Sequence, residues 1–558
     1  MVIESAHMPR ATLAISACLC IAAASAQNVF LPVWDHIYGG TLHETEPMFR
    51  ATSDGGFIVA TSSRSDSSGH KTQANRDSTN VTQDYWVIKL DSLGELEWER
   101  TLGGSGDDRL YDVRQTPDGG YVVAGGSRSP LSGDRTEPNY DSGQFIDNDY
   151  WMVKLAADGS IQWDKRYGGS GDDVCNVVLP LADGGFLLCG TSNTYLDGDK
   201  TVPNWLLTSR NIWLVRIDST RAITWQRMLG SPSGNTLSDV IRTDDEGLLL
   251  LATAGGAPGG DVSEWALGDT DIWLAKLDSL GGLEWEERVG GSLLDDPERI
   301  IPAGDGGYVI ASHSRSLTSL DKTQTNYDPT GLSGDYWIFK INAQGALVWD
   351  RTLGTPTHEY MFGDVIRTLD GGFLAIGGSE SFTAAGDKTE TSLGFHNGWM
   401  VKLDSAGSTE WDRVLLDAGL GDDRRVVQLA DSSLVIASYR SGQVGGYATD
   451  TAVGETDLWV IKIALHDLST ALAHQVHTAD GGSLRTTVVD GTVRWAVADG
   501  AGIVETLQLH DANGRSVRSF RPQASCGELL LQGIAPGGYV LTAFLRSGRR
   551  VSRAIVLP

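Results

Sequence analysis

With 558 residues the chain exceeds what one hydrophobic core fills, so more than one folded unit is expected. It holds 68 Gly against 17 Pro, with 17 Trp and 15 Tyr, a composition of many turns between short aromatic-rich strands and not of a Pro-rich disordered chain. The 72 acidic residues outnumber 44 basic ones for a formal charge of -28, which excludes general electrostatic binding of nucleic acid because phosphate would meet a field of the wrong sign.

At the N-terminus, Met8-Pro9-Arg10 precedes an apolar run, Ala11 to Ala23, and then Ala24-Ser25-Ala26. A basic region, a short apolar core and small residues at a cleavage site predict a secretory signal peptide over residues 1–26. Met8 is a candidate start, and Ile15-Ser16-Ala17-Cys18 leaves a lipoprotein signal as the alternative. No later stretch is long and apolar enough to span a bilayer as a helix. The mature protein is therefore expected outside the cell or on its outer surface, not transmembrane, and monomeric. Cleavage leaves Cys175, Cys189 and Cys526, too few for a disulfide scaffold and in no zinc-site spacing.

A unit of roughly 60 to 65 residues then recurs seven times. One copy reads Trp98-Glu99-Arg100-Thr101-Leu102-Gly103-Gly104, then Gly106-Asp107-Asp108, Asp118-Gly119-Gly120-Tyr121-Val122-Val123-Ala124-Gly125 and Asp149-Tyr150-Trp151-Met152-Val153-Lys154-Leu155. One tryptophan series is Trp34, Trp98, Trp163, Trp225, Trp285, Trp349 and Trp411; the other is Trp86, Trp151, Trp213, Trp273, Trp337, Trp399 and Trp459. Four strand candidates per unit predict an all-β fold, a seven-bladed β-propeller over residues 27–465, with a linear solenoid as the alternative.

Trp86 and Trp98 are twelve apart, as are five further pairs, and the intervening Asp91-Ser92-Leu93-Gly94 predicts a hairpin with the two indoles opposite each other. Trp459 has no such partner, whereas Trp34 stands alone at the other end. The strand of Trp34 is therefore expected beside that of Trp459, closing the ring from the N-terminus. The same reasoning places Cys175 opposite Cys189, as two buried thiols or as an oxidised pair.

The long loops between second and third strands, at 65–83, 129–148, 197–209, 259–270, 317–334, 381–397 and 441–456, are the default functional surface. They repeat Asp199-Lys200-Thr201, Asp321-Lys322-Thr323 and Asp387-Lys388-Thr389. The units, from Val33 to Ala464, resemble bacterial β-propeller repeats carrying a Gly-Gly-Ser-Gly-x-Asp-Asp segment, an Asp-Gly-Gly turn and an aspartate-aromatic strand ending in Lys-Leu-Asp. That resemblance implies an extracellular or envelope-associated protein. The hairpin Lys89 to Trp98 is also similar to a stretched aspartate box of sialidase-type propellers, a likeness of strand placement only.

Residues 466–558 read as a small antiparallel β-sandwich, with strands Ile503 to Leu509, Val517 to Phe520, Tyr539 to Leu545 and Val551 to Leu557 around the turn Asp511-Ala512-Asn513-Gly514-Arg515. This tail, through that turn, Leu531-Gln532-Gly533-Ile534-Ala535-Pro536-Gly537-Gly538-Tyr539 and the terminal strand ending at Pro558, resembles the sorting domains of type IX secretion substrates. The usual Pro-Asn-Pro opening is absent, with Ala479-Asp480-Gly481-Gly482 nearby. The resemblance implies the type IX secretion machinery as a partner.

Chemistry-bearing motifs are sparse: there is no Gly-x-Ser-x-Gly, His-Glu-x-x-His, phosphate loop or Cys/His cluster. No catalytic residue, cofactor-binding residue or cofactor is expected, although Glu359 and Asp364 are weighed as an acid pair. The pairs Asp107/Asp108, Asp172/Asp173, Asp295/Asp296 and Asp422/Asp423 read either as calcium ligands or as caps of backbone N–H groups in the linker turns, with one Asp facing water. The expected role is binding of an extracellular glycan or surface protein, or structural; the alternative is a polysaccharide-active hydrolase or lyase.

Overall fold

The computed structural model describes residues 28–141, 146–392, 397–415, 424–442, 447–449, 451–467, 484–489, 492–497, 503–511, 515–522, 526–530, 534, 537–546 and 550–557. The expected signal peptide over 1–26, the Asp422/Asp423 pair and residues 479–482 lie outside the described residues. The chain divides into two compact units, Pro32–Ala464 and Leu465–Pro558 together with the chain up to Leu31.

The larger unit holds seven four-stranded sheets, and in the first six the strand order follows the chain. The first sheet takes Glu44–Ala51, Phe57–Ser63, Asp84–Leu90 and Leu96–Leu102. The second takes Asp108–Gln115, Tyr121–Ser127, Asp149–Leu155 and Ile161–Tyr167, and the third Asp173–Pro180, Phe186–Ser192, Asn211–Ile217 and Ile223–Leu229. The fourth takes Asn235–Arg242, Leu248–Ala254, Asp271–Leu277 and Leu283–Val289, and the fifth Asp295–Pro302, Tyr308–Ser314, Asp335–Ile341 and Leu347–Leu353. The sixth takes Glu359–Arg367, Phe373–Ser379, Asn397–Leu403 and Thr409–Leu415. Second and third strands such as Tyr121–Ser127 and Asp149–Leu155 are buried throughout, while fourth strands such as Ile161–Tyr167 are partly exposed. Continuous apolar runs are what strands covered on both faces require.

The tryptophan hairpin corrects one expectation. Trp86 pairs with Thr101 and Trp98 with Lys89, so the indoles occupy opposite faces of the sheet. The cause is the turn: Asp91 N–H donates to the Glu95 carbonyl and Gly94 N–H to the Asp91 carbonyl, with Gly94 at φ +82° and a bulge between Lys89 and Leu90. Each indole therefore has its own task. Trp86 is fully buried and donates its Nε1–H to Glu99 at 2.7 Å. Trp98 is half-buried, donates to the Ala157 carbonyl of the second sheet at 3.1 Å, and packs so closely on Gly159 that a Cβ there would lie 2.7 Å from the ring. Full burial of an indole removes roughly 150–250 Å² from water, a gross gain of about 4–6 kcal/mol.

A second bulge sits between first and second strands. Cys175 pairs with Gly190 and Val177 with Cys189, because one extra residue is inserted at Asn176. The two cysteines are therefore not directly opposed; both are buried free thiols, and burial pushes them above the usual thiol range. The same irregularity recurs between Leu110 and Asp112, Leu237 and Asp239, and Pro297 and Arg299.

The seventh sheet joins the two ends of the repeat array: Asn28–Tyr38 lies beside Asp457–Asp467, followed by Leu434–Arg440 and Arg424–Gln428. Trp459 Nε1–H donates to Asp35 at 3.3 Å, and Thr449 donates its N–H and hydroxyl to the same carboxylate at 2.8 Å each. Trp34 packs on Gly94 of the first sheet as Trp98 does on Gly159, and the Tyr38 hydroxyl donates to the Gly94 carbonyl. One apolar cluster joins Val435, Ala437, Leu458 and Val460 of the seventh sheet to Phe49, Phe57, Val59 and Trp86 of the first.

In the C-terminal unit, Ser516–Phe520, Val504–His510, Gly537–Leu545 and Arg550–Leu557 form a four-stranded sheet in that order. Leu484–Val489, Thr492–Val497 and Cys526–Leu530 form a three-stranded sheet that the sequence reading did not anticipate. Trp495, Leu529, Leu507, Leu541 and Leu545, drawn from both sheets, share one core cluster.

Candidate functional site

The recurring Asp-Lys-Thr of the long loops does structural work residue by residue. Lys322 is buried and donates to the Gln324 carbonyl at 3.0 Å and to Asn326 Oδ1 at 2.9 Å, with its ammonium 5.9 Å from the centre of the Trp337 ring. Burial pulls its pKa down to about 8, as it does for Lys71 and Lys388. Thr323 donates its N–H and hydroxyl to Asp350, at 3.0 and 2.5 Å, and Asp350 also accepts the Trp337 indole at 3.1 Å. Asp321 accepts the Gly290 N–H at 3.2 Å and so ties the loop to the linker. Thr136 with Asp164 and Trp151, and Thr389 with Asp412 and Trp399, repeat this arrangement.

The Asp pairs are engaged in the same way. Asp108 accepts Gly104 N–H at 2.7 Å and the Ser129 hydroxyl at 2.8 Å; Asp295 accepts Gly291 N–H at 2.6 Å and the hydroxyls of Ser314 and Ser316. The first member does not simply face water: Asp107 accepts Gln83 N–H at 3.1 Å and pairs with Arg109 at 2.8 Å, and Asp172 pairs with Arg210. Among the described residues, no group of three or more His, Cys, Asp or Glu side chains is placed to hold a metal ion.

With the struts set aside, the long loops of the third and fourth sheets retain exposed apolar side chains. Tyr195, Leu196, Trp205, Leu206 and Leu207 lie on the third-sheet loop and Trp265 on the fourth; Leu207 and Trp265 are each 70% exposed. Trp205 donates its backbone N–H to Asn211 Oδ1 at 3.4 Å, and its indole leans on Gly260 of the neighbouring loop, where a Cβ would lie 2.5 Å from the ring.

Glu359 and Asp364 are not brought together as a pair. Glu359 accepts the Thr355 N–H at 2.8 Å and the Ser379 hydroxyl at 3.0 Å, and burial beside Asp335 raises its pKa. Asp364 instead lines an open cavity of about 220 Å³ among the first strands of the sheets. Its polar wall is Arg50, Arg114, Asp239, Arg299, Asp364 and Arg425; Val240, Ile241, Ile301 and Pro302 supply apolar surface. Arg299 reaches from the fifth sheet to Met48 Sδ of the first at 3.8 Å, and stands 3.8 Å from Asp239 and 3.9 Å from Asp364. The sequence reading missed this cavity. Its signal lay in aligning the copies just past the bulge, where Met48, Asp112, Val177, Asp239, Arg299, Asp364 and Arg425 break the otherwise uniform repeat.

No family model matches the chain, and no curated protein matches it. Solved structures that resemble it include a mutant of the Synechocystis apocarotenoid oxygenase, 11% identical, covering 78% of this chain and 96% of that one at a TM-score of 0.34. A mutant of NanB sialidase from Streptococcus pneumoniae is 11% identical over 78% of this chain and 70% of its own, at 0.36. Kuenenia stuttgartiensis hydrazine synthase is 9% identical over 72% and 92%, at 0.36. These likenesses to diverse enzymes are distant, and no activity follows from them.

Proposed function

We propose that this is an exported binding protein whose loop face holds an uncharged extracellular glycan. The observation that carries the reading is the exposure of Trp205, Leu207 and Trp265 on two loops that touch where Trp205 meets Gly260, and that buried Lys200 and Arg288 brace from below. Aromatic faces suit the C–H surfaces of sugar rings, and a net charge of -28 disfavours polyanionic polymers. On this reading residues 27–465 are a closed seven-bladed β-propeller, supported by the Asp35–Trp459 bond and by Trp34 on Gly94. Residues 1–26 are its signal peptide and 466–558 a β-sandwich sorting domain read by the type IX secretion machinery, which leaves the protein secreted or on the outer surface.

The test is a glycan array with the mature protein and a Trp205→Ala, Trp265→Ala double variant. Binding should fall by roughly tenfold or more, with the melting temperature nearly unchanged because both side chains are substantially exposed. Equal retention of glycan by the double variant sinks the reading.

A polysaccharide hydrolase or lyase is the second reading, favoured by two carboxylates, Asp239 and Asp364, that bracket Arg299 in one cavity. Both carboxylates, however, are already engaged as acceptors of backbone N–H groups, Asp239 from Val240 and Ile300 and Asp364 from Val365 and Val426.

A further inference from the structure

The cavity among the first strands has an imbalance that its own residues do not resolve. Four guanidinium groups, of Arg50, Arg114, Arg299 and Arg425, face three carboxylates, of Asp112, Asp239 and Asp364. The carboxylates are already committed. Asp112 accepts Arg50 Nη2 at 3.0 Å, Arg114 Nε at 2.8 Å and the N–H groups of Val113 and Val178. Asp239 accepts Val240 and Ile300 N–H at 2.9 and 3.3 Å, and Asp364 accepts Val365 and Val426 N–H at 3.0 and 3.2 Å. In each case one backbone bond is local and the other, from Val178, Ile300 or Val426, comes from the next sheet, which fixes the acceptors in place.

The donors are not used up. Arg299 stands 3.8–3.9 Å from its two carboxylates, beyond hydrogen-bond length, and its one hydrogen bond among the described residues goes to the weak acceptor Met48 Sδ. Arg114 uses Nε on Asp112 and Arg50 uses Nε and Nη2, which leaves the outer nitrogens of Arg114 directed at no acceptor among the described residues. Burial and then the neighbouring Arg114 pull the Arg50 pKa down, whereas Arg299 is held above its ordinary value, burial opposing the attraction of Asp239 and Asp364.

We propose that this cavity binds a small oxyanion, a carboxylate, phosphate or sulfate, between Arg299 and the Arg50/Arg114 pair. Guanidinium forks match planar or tetrahedral oxyanions in bidentate fashion. The volume of about 220 Å³ lies below that of drug-sized sites and suits a small ion with its waters. The net charge of -28 does not forbid entry, because surface charges are screened beyond about 8 Å at physiological salt whereas the cavity arginines act at contact. The site is independent of the glycan surface on the loops.

The test titrates the mature protein with acetate, phosphate and sulfate at fixed ionic strength while following thermal unfolding, and soaks crystals with selenate to locate the ion by its anomalous signal. At least one ion should give a saturable rise in melting temperature, the three-way comparison identifying the preferred oxyanion, and selenate should lie within the cavity. Arg114→Gln, at a side chain only partly buried, should weaken binding by on the order of tenfold, with Arg114→Lys retaining part of it. No saturable rise, an equal rise in Arg114→Gln, or selenate only outside the cavity overturns the proposal. Glycan binding by the same Arg114→Gln protein should be unchanged, so the two proposals fail separately.

Discussion

The second and seventh sheets reach the same internal arrangement by different routes. In the second sheet, Trp151, its acid Asp164 and the loop residue Thr136 come from one stretch of about 30 residues. In the seventh, Trp459 and Thr449 meet an acid, Asp35, that lies 424 and 414 positions away in the chain. The difference teaches that the two sheets share the indole–carboxylate–threonine unit and not the local hairpin; the third sheet keeps the geometry with the amide Gln226 as acceptor, and the fourth with Ser263 in place of the threonine. A hairpin turn merely supplies the acid cheaply, because loop closure costs grow only slowly with length and burial outweighs them. The seventh sheet also pairs Arg424 and Arg425 with consecutive residues, without the extra bulge residue of the second.

The comparison breaks most completely if the splice is removed. Deleting residues 28–40 takes away Asp35, Trp34 and Tyr38, leaves the Trp459 indole and the two Thr449 donors without their acceptor, and uncovers a strand edge. The expected outcome is loss of a single cooperative calorimetric transition, aggregation on size-exclusion chromatography, or both. A truncated protein that melts in one transition near the full-length temperature would show that the splice is dispensable.

Single substitutions sharpen the comparison. Trp459→Ala and Trp399→Ala remove equally buried indoles, so each should cost about 3–5 kcal/mol in denaturant unfolding, whether the acid is local or distant. Asp35→Ala should cost about 1–3 kcal/mol by stranding buried donors. Trp34→Ala should cost less than Trp459→Ala because Trp34 is only half-buried. A Trp459→Ala cost far below that of Trp399→Ala would mean that the splice is looser than the hairpins.

Much of this was legible in the sequence. Tryptophan spacing located the strands, and the unmatched Trp34 and Trp459 pointed to their juxtaposition. The facing of the indoles was not legible, because a spacing of twelve is compatible with more than one turn, and the one-residue bulge at Lys89/Leu90 moves Trp98 to the other face from Trp86. The loops looked functional for being polar, yet Lys322 and Thr323 serve the fold, and the exposed Trp205 and Trp265 fall outside the repeat consensus. The cavity was hidden for a related reason. Residues at Asp239, Arg299 and Asp364 differ from copy to copy, and only the stacking of first strands brings them together.

The smallest expected effect is a local one, at the junctions between sheets. Asp84 and Asp108 meet over Gly103, and Asp457 approaches Glu44 at the splice, whereas the third and fourth sheets meet through the amides Asn211 and Asn235 over Gly230. Burial raises Asp84 to about 8 and Glu44 to about 7, far above the usual carboxyl range. The native state therefore keeps protons that the unfolded chain has lost above about pH 4–5, and stability fully present below that range is lost as pH rises through 7 to 8. Lys71, lowered to about 8, acts in the opposite sense only at still higher pH. Hydrogen exchange, corrected for its intrinsic pH dependence, should show the Asp84–Asp108 and Glu44–Asp457 junctions opening more readily at pH 8 than at pH 5. The Asn211–Asn235 junction should not change. Asp84→Asn should flatten the dependence at the first junction while scarcely altering stability at pH 5, where the native carboxyl already carries a proton and Asn211 shows that an amide fits the equivalent position, donating to the Ser231 carbonyl at 2.8 Å. Equal pH dependence at all three junctions would place the buried protons elsewhere.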